Sequence, residues 1–185
     1  MGLFSLEIST EDLVEIIDEV ISSFHSTIKC RLDIEEMEYK IVKKSYPYGI
    51  DGFVKENTRA SLVPSSIEYQ VKELVFYTEN IKKFIDYNFF RLTDLKIFYE
   101  AVRTTIKFIV AHELVHVQQI KNGLTIEEYK KTSYCDSIYE RQANEIASII
   151  VSEDGEFQRK IAKLITNKNE KIDNDNVIEY IRAFG

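Results

Sequence analysis

The 185-residue chain has few of the residues that bend or crosslink a polypeptide: two prolines, six glycines and two cysteines. Together with a hydrophobic content of 44%, this scarcity of proline and glycine argues against a disordered chain and predicts a globular one. Cys30 and Cys135 lie far apart in sequence, so we expect free thiols in a reducing cytoplasm. At this length a single domain, residues 1–185, is expected.

Long apolar runs and clustered positive charges are also missing. No run reaches the roughly 20 apolar residues of a membrane-spanning helix, and the start of the chain lacks the basic region of a signal peptide. Residues 1–20 hold six acidic residues and no lysine or arginine, within a chain of net charge −7. We therefore expect a cytoplasmic protein that binds neither nucleic acid nor membranes. The oligomeric state has no signature in the sequence.

The first half of the chain predicts one helix followed by a sheet. "STEDLVEIIDEVISSF" has apolar residues at helical spacing, with Ser9 or Thr10 as the N-cap and His25 near the end. Between residues 27 and 78 the runs "TIKCRLDI", "EYKIVKK" and "VKELVFYT" are β-rich and are separated by turn sequences. These runs predict a small, mostly antiparallel sheet.

The second half predicts helices. Residues 93–122 predict a long helix that begins at Thr93 or Asp94 and ends at Asn122-Gly123, with a break near residues 103–105 as an alternative. A second helix is expected to begin near Ser133 or Asp136, and short helices are expected in 154–166 and 173–183. The predicted fold class is α+β. It comprises a helix and sheet in 1–92, two long helices in 93–151 and C-terminal helices in 152–185.

Histidine is scarce as well, and two of the three histidines occur in "FIVAHELVHVQQ", residues 108–119. His112 and His116 would lie on one face of a helix, one turn apart, which suits a single metal ion. Glu113 would lie beside them. The alternative is an ordinary helix whose half-buried histidines make hydrogen bonds. That alternative costs roughly several kcal/mol unless something compensates for burying them, because their neighbours are apolar: Val110, Ala111, Leu114, Val115 and Val117.

The run His112-Glu113-Leu114-Val115-His116 resembles the zincin metallopeptidases. The chain continues with "VQQIKNGLT", which lacks the third histidine of the metzincins. "YERQANEIAS", residues 139–148, is similar to the Glu-x-x-Ala-Asn/Asp stretch of the gluzincin branch. The similarity is strongest to the ImmA/IrrE-like peptidases and extends to the minimal gluzincins and CAAX-type endopeptidases. It covers about residues 94–151.

The resemblance implies a zincin-like fold and a set of site residues. His112 and His116 would bind zinc, and Glu113 would act as the general base on a water activated by the metal. Glu140, which follows His116 by 140 − 116 = 24 residues, would be the third ligand, with Asp136 and Glu145 as alternatives. Asn144 would hydrogen-bond a ligand and orient it. A residue that stabilises the transition state would come from a separate set: Tyr134, Tyr139, Arg141 and His25.

Two further features follow from the same reasoning. Ala143 and Ala147 share a helix face with Glu140, and small residues there would let this helix approach the histidine helix closely. The last strand of the sheet, within residues 73–81, is a candidate edge strand for binding the backbone of a peptide substrate. An ordinary core strand is the equally open alternative.

The expected function is that of a zinc-dependent endopeptidase, with one Zn²⁺ per chain and a protein or peptide as substrate. The alternative is a non-catalytic or autoinhibited zinc-containing binding or regulatory protein with the same fold. A closed four-ligand site would indicate that alternative. An effector that cleaves another cell's protein is a variant of the first hypothesis that the sequence does not separate from it.

Overall fold

The computed structural model describes residues 6–47, 57–90, 92–131 and 137–166. In these residues six helices accompany a sheet of three strands, which confirms the predicted α+β class. The elements, in chain order, are α1 (Thr10–Arg31), β1 (Lys40–Lys44), β2 (Ala60–Pro64), β3 (Val71–Tyr77), α2 (Thr78–Phe89), α3 (Leu95–Lys121), α4 (Ile126–Lys130), α5 (Ile138–Ser152) and α6 (Glu156–Thr166). The helix predicted in 173–183 lies outside the described residues.

The sheet is mixed, which corrects the expectation of a mostly antiparallel one. Its strand order is β1-β3-β2, with β1 parallel and β2 antiparallel to β3. β3 therefore lies in the centre, so of the two alternatives left open for residues 73–81 the structure shows the core strand and not the edge strand. Leu74, Val75, Phe76 and Tyr77 are completely buried, as is typical of a strand covered on both faces.

Helix α1 is longer than its sequence predicted. It does not end at His25 but continues to Arg31, so the run "TIKCRLDI" is mostly helical, not a strand. Val20, Phe24 and Ile28 continue the four-residue spacing of the apolar face, and this face packs into the core. Packing therefore overrides the local β preference of Thr27 and Ile28, since such preferences amount to only about 1 kcal/mol.

Helix α2 follows β3 with no connecting loop and was not predicted. Ile81, Ile85 and Phe89 lie one turn apart along it and are all buried. The preceding strand is apolar too, so the change from a period of two to a period of 3.6 is hidden in the sequence.

Helix α3 forms the centre of the molecule and runs without a break over 27 residues. Asp94 caps its start by accepting a hydrogen bond from the Ile97 amide (3.0 Å). The helix does not break near residues 103–105, where the hydroxyls of Thr104 and Thr105 bond back to carbonyls one turn earlier (both 2.8 Å). It packs against α1, α5, α6 and β2, which explains why it is apolar on nearly all sides.

Helix α5 packs directly against α3 through its small residues. Ala143 and Ala147 are fully buried between the two helices, in line with the close approach expected from the sequence. A single cluster of buried apolar side chains includes residues of α1, α2, α3, α5 and α6. Across the described residues, no helix is both long and apolar enough to cross a membrane.

The α3–α5 contact leads to a prediction about stability. We expect Ala147→Leu to destabilise the fold by about 1–3 kcal/mol, because the added atoms find no space between the helices. Urea denaturation measures the change in the free energy of unfolding. The matched control is Glu145→Leu at an exposed position of the same helix, where a change within about 0.5 kcal/mol is expected. Equal losses in the two variants would contradict tight packing at Ala147.

Candidate metal centre

The side chains of His112, His116 and Glu140 converge at the contact between α3 and α5. The two histidine Nε2 atoms are 3.1 Å apart. Glu140 Oε2 lies 3.4 Å from His112 Nε2, and Glu140 Oε1 lies 3.2 Å from His116 Nε2. One ligand atom from each residue can be chosen so that all lie within 4.8 Å of one another. The sequence placed these residues on two different helices, and the fold brings them together.

The convergence follows from where the helices begin and how they cross. His112 and His116 are one turn apart on α3, so their rings lie on one face and meet edge to face, with centroids 4.7 Å apart. Glu140 lies in the first turn of α5, three residues after its N-cap Ser137. Ala143 is one turn further along the same face and lets the two backbones approach. The phenyl ring of Phe108 packs against His112 and limits its rotation (centroids 6.2 Å apart).

The spacing and chemistry of these donors fit a zinc ion. In a tetrahedral site with Zn–N bonds of ~2.0–2.1 Å, ligand atoms are about 3.3 Å apart. The two Nε2 atoms are 3.1 Å apart, and each lies 3.4 or 3.2 Å from the nearer Glu140 oxygen, Oε2 for His112 and Oε1 for His116, which is close to that value. Two imidazoles and one carboxylate are also a typical donor set for catalytic zinc. Metal binding itself stays a prediction.

The site is buried and incompletely hydrogen-bonded. The side chains of His112, His116 and Glu140 are only 12%, 11% and 6% exposed. His112 Nδ1 and Glu140 Oε2 are buried and make no hydrogen bond in the described residues. Such orphaned polar atoms are rare in native proteins and are typical of sites that hold a water or an ion or that have a function. A cation among these donors would bind the unpaired carboxylate oxygen.

The charges in the site favour an ionised carboxylate. Burial opposes ionisation of Glu140, but the close imidazoles of His112 and His116 hold its pKa well below the usual range. Burial lowers the pKa of His116, but the hydrogen bond to Glu140 and the charge of Glu113 outweigh this effect and raise its pKa above the usual value. In the metal-free site both pKa shifts act in the direction of a negative Glu140 beside a protonated His116, and a metal ion would have to displace that proton, since a ligating imidazole must be neutral.

Glu113 lies next to the histidines but does not belong to the cluster of donors. Its side chain is buried, and burial raises the pKa of its carboxyl group. The charges of His112, His116 and Arg59 act against this rise, so all three residues are close enough to affect it. A buried carboxyl group beside a candidate metal centre has the position expected of a general base.

Gln119 orients His116 and joins the two helices that carry the proposed ligands. Its Oε1 accepts a hydrogen bond from His116 Nδ1 (2.8 Å). Its Nε2 donates to the backbone carbonyl of Tyr139 (3.1 Å) and to Gln142 Oε1 (2.9 Å), both on α5. These bonds fix the amide orientation, so His116 carries its proton on Nδ1 and presents Nε2 to the site.

Tyr129, on the short helix α4, contacts one proposed ligand on each of the two helices, His116 on α3 and Glu140 on α5. Its hydroxyl donates a hydrogen bond to Glu140 Oε1, and its ring meets the His116 ring edge-on, with centroids 5.9 Å apart. Sequence reasoning missed Gln119 and Tyr129. The one available signal for Gln119 was its position three residues after His116, on the same helix face.

The remaining candidates lie at various distances from this centre. Tyr139 contributes a backbone carbonyl to Gln119, and Arg141 and Glu145 are exposed. Asn144 is half-buried and makes no hydrogen bond to His112, His116 or Glu140 among the described residues, so its orienting role stays a prediction. His25, on α1, is hydrogen-bonded to Tyr39 (2.7 Å). Tyr134 and Asp136 lie outside the described residues.

Comparison with known proteins supplies no further guide to the chemistry of this site. No protein-family model, curated protein or solved structure matches the chain. The hypothesis of a metal centre therefore depends on the geometry of His112, His116 and Glu140 and on the chemistry of their donor atoms.

Proposed function

We propose that the protein is a zinc-dependent endopeptidase of the gluzincin type, with a zincin-like fold and a cytoplasmic location. The observation that carries the proposal is the convergence of His112, His116 and Glu140 at the contact between two buried helices. Two imidazoles and one carboxylate leave a fourth position of a tetrahedral ion open, as catalytic zinc requires. The substrate would be a protein or peptide.

The chain's own residues account for the proton transfers of hydrolysis. Bound zinc would supply a Lewis acid that polarises the scissile carbonyl and acidifies water. Glu113 would take a proton from the attacking water as its oxygen bonds to the carbonyl carbon. It would then give that proton to the amide nitrogen when the C–N bond breaks.

Strand β2 is the candidate for holding the substrate backbone, in place of β3. It is an edge of the three-stranded sheet in the described residues, and it packs against α3, which carries the histidines. An edge strand has backbone N–H and C=O groups available for an extended peptide.

A zinc-containing binding or regulatory protein is the second candidate, and the burial of the site favours it. The three proposed ligands are no more than 12% exposed, and Tyr129 covers one oxygen of Glu140. If the fourth position were also filled by a protein group, the metal would hold α3 and α5 together without catalysis.

The metal content of the purified protein tests both candidates. We expect about one zinc per chain by elemental analysis, and a stabilisation of about 2.7 kcal/mol when free zinc is 100 times its dissociation constant. His112→Ala is expected to lose the metal. His25→Ala should retain it, because His25 bonds to Tyr39 and not to the site. Protein that stays metal-free in zinc-replete medium would refute both candidates.

A further inference from the structure

We propose that Tyr129 is a positioning residue that restricts Glu140 to a single metal-binding oxygen, Oε2; this inference rests on the proposed metal centre. The Tyr129 hydroxyl donates to Oε1, and Oε2 is the buried oxygen without a hydrogen bond. The two oxygens are therefore already different before any ion binds. Oε1 accepts the Tyr129 hydroxyl and lies 3.2 Å from His116 Nε2, whereas Oε2 lies 3.4 Å from His112 Nε2 and has no hydrogen-bond donor.

The turn after α3 delivers Tyr129 to this position. Gly123 adopts φ = 101°, a left-handed conformation that suits glycine, and its amide bonds to the Ile120 carbonyl (3.0 Å). The Leu124 amide bonds to the Gln119 carbonyl (2.9 Å), so the chain reverses directly beside the site. Thr125 and Glu128 then form a capping box that fixes the five-residue helix α4.

Tyr129 is held from two sides, which makes its hydroxyl a directed donor. Its ring lies edge-on to His116, at an interplanar angle of 84°. His116 is itself fixed by Gln119, so the phenol, the imidazole and the carboxylate form one connected group. Rotation of the Glu140 carboxylate would break the hydrogen bond to Tyr129.

This arrangement determines how many positions on the metal remain available. A glutamate can bind a metal through one oxygen or through both. With Oε1 occupied by Tyr129, Glu140 contributes one bond, and two histidines plus one oxygen leave an open tetrahedral position. If Glu140 used both oxygens, the second would compete with water or a substrate carbonyl for that position.

Replacement of zinc by Co²⁺ reports the coordination number directly, since four-coordinate Co²⁺ absorbs visible light much more strongly than five-coordinate Co²⁺. We expect an intense spectrum for the wild-type protein and a clearly weaker one for Tyr129→Phe. Zinc affinity, measured by competition with a chromophoric chelator, should fall about 10–100-fold in the variant, as is usual when a residue that orients a ligand is lost. Circular dichroism verifies that the variant is folded.

Tyr99→Phe is the matched control. Tyr99 is a tyrosine of helix α3 whose hydroxyl also donates to a carboxylate, Asp12 Oδ2, at 3.4 Å. It lies more than three helical turns before His112 in the sequence. We expect its Co²⁺ spectrum and zinc affinity to equal those of the wild type. Loss of intensity in both variants would show a general effect of removing a tyrosine hydroxyl and would overturn the assignment.

The possible outcomes separate this inference from the proposed function. A wild-type protein that binds neither Co²⁺ nor zinc overturns both. A wild-type protein that binds Co²⁺ with the weak five-coordinate spectrum, or a Tyr129→Phe variant with an unchanged spectrum and affinity, overturns the role of Tyr129 and leaves the metal centre intact.

Discussion

Glu113→Gln is expected to lower peptide hydrolysis by about 10²–10⁴-fold, the usual contribution of a general base, while leaving the zinc content unchanged. Glutamine has nearly the same shape as glutamate but cannot accept a proton from water. It is not among the converging donors, so the metal should remain bound. Turnover of a library of internally quenched peptides measures the activity, and elemental analysis measures the metal.

Glu100→Gln is the control for this experiment, because Glu100 lies on the same helix, is half-buried and bonds to Gln158 (2.8 Å) away from the site. Activity at the wild-type level is expected for it. Equal turnover by Glu113→Gln and the wild type would sink the assignment of Glu113 as the base. A zinc-loaded wild type that cleaves nothing would favour the binding or regulatory candidate.

Loss of a residue that only orients a ligand typically weakens metal binding about 10–100-fold. Glu140→Ala is expected to weaken zinc binding by more than this, because it removes a proposed direct ligand. It also removes the acceptor of the Tyr129 hydroxyl and the partner of His116. Calorimetric titration with zinc measures the affinity. Glu140→Ala also removes the negative charge that would stabilise a protonated His116. Measurements on the metal-free variant report this loss separately from the loss of a metal ligand.

Two variants identify the ligand among the acidic residues that the sequence left open. Asp136→Ala and Glu145→Ala are each expected to retain wild-type affinity, and Glu145 is already exposed on α5. A loss of affinity in Asp136→Ala, with Glu140→Ala unaffected, would move the third ligand to Asp136.

Helices α3 and α5 were predictable because both carry strong local signals. Each combines apolar periodicity with a polar residue at its start, and Asp94 caps α3 as expected. The pairing of Glu140 with the histidines was implied by the resemblance to the gluzincins, and the small residues Ala143 and Ala147 on the same helix face agreed with it. Long, periodic elements and i, i+4 spacing are properties of the local chain.

The polar residues that surround the proposed ligands were not predictable in the same way. Gln119 takes its role from the Tyr139 carbonyl and Gln142, which lie on α5 and approach it only in the folded protein. Tyr129 depends on the reversal at Gly123 and on a five-residue helix too short to show a period. Asn144 was expected from the resemblance alone, and its side chain is not hydrogen-bonded to the cluster in the described residues.

The prediction of strand direction was wrong because it too depends on contacts between distant parts of the chain. Alternation and turn residues predict where strands occur, but the pairing of β1 with β3 in parallel is a long-range choice that leaves no local pattern. Whether β3 is an edge or a central strand was left open by the sequence for the same reason, although its apolar residues Leu74 to Tyr77 are compatible with a strand covered on both sides.

The hydrogen bonds of Gln119 tie α3 to α5 at the level of the proposed ligands, which the chain separates by 24 residues. An ion bound by residues of both helices would act as a reversible crosslink between them. While α3 and α5 remain packed, a ligand that dissociates from the ion would stay close enough to bind it again. The residence time of the ion would then be governed by how often α5 lifts away from α3. A metal ion bound here would therefore dissociate slowly, and the protein would retain it when the free metal concentration around it is very low.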